Sequence, residues 1–138
     1  MPVSPVMHVT GEETMEEPIV KRVFYLDGDT KEKPALVFRL LKPHQVSGEY
    51  PRCAYELTTP DRVQRRDVPG VDELDCIISC LSQAGSEIAG LNEAVFNGRL
   101  RWEAWSEGDR GLGLPTIEDH WPTRESYQSA LQWSRDQQ

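Results

Sequence analysis

The stretch Gly70 to Gly90, GVDELDCIISCLSQAGSEIAG, constrains the fold more than any other part of the chain. Val71, Leu74, Ile77, Ile78, Leu81, Ala84 and Ile88 recur at steps of three and four, which gathers them into one apolar stripe along an amphipathic helix. That stripe has to be covered. Asp72, Glu73 and Asp75 fall in the first turn, where free N–H groups and the positive end of the helix dipole favour carboxylates, so they read as caps and not as paired acid–base groups. Pro69 and Gly70 before the stretch, and Gly90 after it, mark the expected ends. A helix of about twenty residues is roughly 30 Å long, enough to cover a small sheet.

The flanking segments supply that sheet. Ile19 to Leu26 and Ala35 to Lys42 are rich in β-branched and aromatic residues and are separated by the turn signal Asp27, Gly28, Asp29, which predicts a hairpin. In its second arm Leu36, Phe38 and Leu40 alternate with Val37, Arg39 and Leu41, and the first set is expected to face the helix. After a loop from Pro43 to Pro51, Arg52 to Thr58 sets Cys53, Tyr55 and Leu57 against Arg52, Ala54, Glu56 and Thr58, the pattern of a half-exposed antiparallel strand. Arg62 to Val68 reads as a polar fourth strand at the sheet edge. Leu100 to Trp105 reads as a fifth. Ser106 to Pro115 is expected to be a loop that tucks Leu112 and Leu114 against apolar surface, and Pro122 to Gln138 a second, more polar helix. Met1 to Glu17 lacks any period and is expected to have no regular structure.

These elements define an α+β fold: an antiparallel sheet of four to five strands packed on one long helix, with a C-terminal helix. A single domain over residues 18–115 is expected, between a flexible segment (1–17) and a helical extension (116–138). A chain of 138 residues is long enough for one core without a metal or disulfide. Cys53, Cys76 and Cys80 are odd in number and read as free thiols in a reducing compartment. The start of the chain has neither the basic opening nor the apolar centre of a secretion signal, and no apolar run reaches the length of a membrane span, so a cytoplasmic location is expected.

Net charge is −8, and its distribution is uneven. Pro18 to Gly70 holds ten bases against seven acids, whereas Val71 onward holds twelve acids against five arginines. An acidic surface of this kind repels phosphate backbones, which argues against nucleic acid as a partner, and speeds encounter with a basic protein.

Candidates for chemistry are few. Cys76 and Cys80 share a side of the helix, yet two thiols are not a metal site, and neither His44 nor His120 stands at a ligand spacing from them. A nucleophile needs a base, usually histidine; His8 lies in the leading segment, His44 in a proline-flanked loop, and His120 beside Asp119, where adjacent side chains diverge. No phosphate loop, dinucleotide fingerprint, nucleophile elbow or zinc-protease helix is present, so neither catalytic residues nor a metal or cofactor is expected. The acidic run is more telling when taken with its aromatics. Glu103, Trp105, Glu107, Asp109, Glu118, Asp119 and Trp121 mix negative charge with two tryptophans that the alternation does not assign to the core, a composition suited to binding a basic protein partner.

Four ordered motifs carry a resemblance: the Cys-bearing strand Arg52 to Leu57, the helix opening Gly70-Val71-Asp72, the Trp-bearing Leu100-Arg101-Trp102, and the Leu-Gly-Leu-Pro close from Leu112 to Pro115. Together they resemble a family of small bacterial proteins known as a domain of unknown function, over roughly Pro18 to Pro115. The family has no catalytic signature to transfer. By analogy with other small acidic α+β proteins, the resemblance implies an immunity protein that neutralises a cognate toxin by occluding its active site. The expected alternatives are a homo-oligomeric adaptor that pairs through its exposed hairpin edge, or a small enzyme built on His120 or Cys53.

Overall fold

The computed structural model describes residues 7–10, 16–105, 112–117 and 124–137. The strands are β1 (Met7–Thr10), β2 (Val20–Leu26), β3 (Leu36–Leu40), β4 (Arg52–Thr58), β5 (Val63–Pro69) and β6 (Leu100–Arg101); the helices are α1 (Glu73–Ala94) and α2 (Arg124–Asp136). The strands form one antiparallel sheet in the order β1-β5-β4-β3-β2-β6. The expected α+β class is observed. One face of the sheet carries Phe24, Leu36, Phe38, Leu40, Cys53, Tyr55, Leu57 and Val68, and α1 lies across it with Cys76, Cys80, Ala84 and Ile88. Leu100 and Leu112 close the same core.

Several elements differ from their sequence reading. Met7–Thr10 is a strand, paired with β5 in the register Met7 to Arg66 through Thr10 to Val63, where no regular structure was expected. That pairing moves β5 from the edge to the interior of the sheet. β4 is buried on both faces and not half-exposed, because Arg39 and Arg65 on the flanking strands reach over Glu56, with N–O distances of 3.8 and 3.9 Å. Bringing cations to that carboxylate is what allows it to be buried. α1 runs on through Gly90 to Ala94, since Leu91 packs on the core and that packing outweighs the cost of about 1 kcal/mol for a helical glycine. Val95 is the C-cap, its N–H donating to Leu91 O, and the chain then turns through Asn97 and Gly98, both at positive φ.

The largest correction concerns the stripe of α1. Its buried seam is Cys76, Cys80, Ala84 and Ile88 at steps of four, with Ile77, Leu81 and Leu91 partly covered, while Val71, Leu74 and Ile78 face outward. Small side chains let the first half of the helix approach β4 closely: Cys76 Sγ donates to Pro51 O at 3.0 Å and Cys80 Sγ to Cys53 O at 3.2 Å. Asp72 is the N-cap, accepting from Asp75 N at 2.7 Å, and Asp75 in return accepts from Val71 N at 2.9 Å. No helix among the described residues is long and apolar enough to cross a membrane.

Candidate functional site

The end of the sheet at β6 is where the described part of the acidic, tryptophan-bearing run sits. β6 is two residues long, and not the six expected of Leu100 to Trp105, because the chain turns as soon as it leaves β2: Trp105 N donates to Trp102 O at 3.0 Å. The two tryptophans are each matched with an arginine. The Arg22 guanidinium lies 3.8 Å from the Trp102 ring centroid and donates to Leu112 O at 3.1 Å. The Arg101 guanidinium lies 4.1 Å from that of Trp105 and pairs with Asp27 at 3.5 Å. A guanidinium over a ring face is attracted by the ring quadrupole, which holds each ring against its arginine. Beside them Lys31 Nζ and Glu103 Oε1 are 2.9 Å apart, and that hydrogen bond raises the Lys31 pKa. A cleft of about 330 Å³ opens here between Lys21, Arg22, Val23, Lys31, Trp102 and Glu103.

Of the residues singled out from sequence, the structure brings Glu103 and Trp105 together at this rim; Glu107, Asp109, Glu118, Asp119 and Trp121 lie outside the described residues. Trp105 is 39% exposed. The described rim is mixed in charge: Glu103 pairs with Lys31, and Lys21, Arg22 and Arg101 lie in the same cluster.

A second polar centre was not anticipated. Tyr55 of β4 donates to Glu87 Oε1 of α1, and Arg66 of β5 grips the same carboxylate through two hydrogen bonds of 3.1 Å. Burial, and then the hydrogen bond to Glu87, push the Tyr55 phenol well above its ordinary pKa. Arg66 is raised as well, first by its hydrogen bonding to Glu87. The chemistry this arrangement supports is that of a clamp: the phenol keeps its proton, and the carboxylate and guanidinium neutralise each other across the helix–sheet boundary. The three residues are far apart in sequence, and only their contact reveals them; the one early signal was a tyrosine on the face assigned to the core.

Next to the clamp lies a cavity of about 320 Å³ lined by Arg66, Gln83, Ser86, Glu87 and Ile117. On the other side of Ser86, a larger groove of about 750 Å³ runs along the second half of α1 past Asn92, Glu93, Asn97 and Thr116. Ile117 N donates to Ser86 Oγ at 2.8 Å between the two. These side chains offer hydrogen bonding, and Glu93 is the one ionisable group among the described residues that line the larger groove.

The thiols are all buried and free. Cys53 Sγ donates to Leu41 O at 3.3 Å. A hydrogen bond with Cys80 holds Cys53 below the ordinary thiol pKa, whereas the same contact, with burial, drives Cys80 upward, and burial raises Cys76. Among the described residues no group of three or more His, Cys, Asp or Glu side chains is placed to hold a metal.

Fold and rim together define an α+β protein whose six-stranded antiparallel sheet is covered by one helix and ends in an arginine–tryptophan rim. The chain belongs to the family described as domain of unknown function DUF6968, whose model matches residues 20–116. That span coincides with the resemblance read from Pro18 to Pro115. No curated protein and no solved structure matches the chain.

Proposed function

We propose that this chain is a non-enzymatic, acidic protein-binding module, and most concretely a bacterial immunity protein, acting in the cytoplasm, that occludes the active site of a cognate toxin. The observation that carries the reading is Trp105, left 39% exposed yet held in place by Arg101, at the point where the acid-rich run begins. Tryptophan and arginine are the side chains on which interface energy concentrates, and a pre-ordered ring loses little freedom on docking. A net charge of −8 supports a basic partner, since it raises the rate of encounter. The sealed thiol of Cys53 adds weight against the enzyme alternative, because a nucleophile there has no path to substrate.

The test is binding to the protein encoded next to this gene. Trp105→Ala should weaken it about 30-fold, equivalent to about 2 kcal/mol. Glu107→Lys with Asp109→Lys should slow association and flatten its salt dependence; an unchanged rate counts against the proposal.

A second reading has one observation in its favour. β6 pairs only with Tyr25 and Leu26, which leaves Val20 to Phe24 of β2 without a strand on that side among the described residues. An open edge of this kind pairs readily with another copy. Light scattering separates the two readings: a stable dimer in the absence of any other protein favours the adaptor.

A further inference from the structure

Three aliphatic side chains that a helix would normally bury stand in solvent at the start of α1. Leu74 and Ile78, 64% and 41% exposed, stand four apart on one side of the first two turns, and Val71, 74% exposed, precedes the N-cap Asp72. The same turns carry the carboxylates of Asp72, Glu73 and Asp75, and α1 contains no lysine or arginine along its whole length. Pro51 O accepts hydrogen bonds from Gly70 N at 3.1 Å and from Cys76 Sγ at 3.0 Å, which ties the β3–β4 connection to this end of the molecule. Tyr50, next in the chain, is 71% exposed there.

We infer that this end of α1 is a docking surface for a basic amphipathic helix of a partner protein, a proposal that rests on the binding reading above and adds a second contact face to it. The apolar residues supply anchors at helical spacing, in the manner of helix-against-helix recognition. The carboxylates complement lysine or arginine flanking the partner's apolar stripe. The geometry of the core explains why the helical anchors are free: close approach of α1 to β4 through Cys76 and Cys80 turns Leu74 and Ile78 away from the sheet.

The probe is a synthetic fourteen-residue leucine–lysine amphipathic helix, with a leucine–glutamate helix of the same pattern as control, titrated against the full chain by fluorescence anisotropy. Saturable binding of the lysine peptide is expected, with none of the glutamate peptide. Val71→Ser, Leu74→Ser and Ile78→Ser combined should weaken it at least tenfold, and Trp133→Ala, at an exposed tryptophan of α2, should leave it unchanged. Circular dichroism of the triple variant checks that it folds. The proposal is overturned by absence of saturable binding, by equal binding to the triple variant, by loss of binding in Trp133→Ala, or by a wild-type dimer that the triple variant dissociates. Failure of the neighbouring gene product to bind, with peptide binding intact at the helix start, would instead remove the immunity reading and leave the docking surface standing.

Discussion

At Gly85, in the middle of α1, there is no room for a methyl group: a β-carbon built there would collide with the carbonyl oxygen of Pro115 and sit 3.2 Å from the Leu114 side chain. The segment 112–117 can cross the helix only because that side chain is missing. At an exposed helical position Gly→Ala stabilises by up to about 1 kcal/mol. Here the sign should reverse: Gly85→Ala is expected to cost about 1–3 kcal/mol through overpacking, read as a lower denaturant midpoint. Gly113 is constrained twice over, by φ of +87° and by Arg22 and Trp102 pressed against the site of its absent β-carbon. The neutral Tyr55 phenol makes a further prediction. Its pKa is raised in the folded state, so the stability it contributes is complete below the unfolded value of about 10 and is lost as pH rises above it. Unfolding measured from pH 10 upward should show stability falling by about 1.4 kcal/mol per unit from this group, and Tyr55→Phe should remove that slope.

Among elements, α1 shows how a correct periodicity leaves orientation open. A stripe of seven apolar residues is wider than the contact it makes, and which side of it meets the sheet depends on which side chains are small enough to let the two backbones approach. Cys76, Cys80 and Ala84 are; Val71, Leu74 and Ile78 are not needed there. Chemical denaturation should therefore separate residues that hydropathy treats alike. Ile88→Ala should cost about 2–4 kcal/mol, whereas Leu74→Ser should change stability by less than about 0.5 kcal/mol.

For the molecule as a whole, the outermost strands of the sheet are pieces distant in the chain from their neighbours. β1 pairs with β5 on one side, and β6 pairs with Tyr25 and Leu26 of β2 on the other. Removing residues 1–10 should expose the edge of β5 and forfeit four register pairs, lowering Tm by about 3–5 °C for each kcal/mol lost and increasing association with concentration. Much of this fold was legible beforehand. The helix, its acidic cap at Asp72, the β2–β3 hairpin and the helix-facing residues of β3 and β4 all follow from period and turn chemistry, which are local properties. At the rim, Trp105 could be recognised as a side chain that alternation sends away from the core, but its arginine partner could not.

The sequence by itself determined the class of the fold and the residues available to its core, because periodicity and turn residues act within a few positions of one another. Only tertiary structure decided which way α1 faces, that β5 is an interior strand, that Glu56 is buried, and that Tyr55, Arg66 and Glu87 meet. Those outcomes depend on how closely distant backbones approach and on which charges meet across strands, and neither quantity is carried by any short stretch of chain.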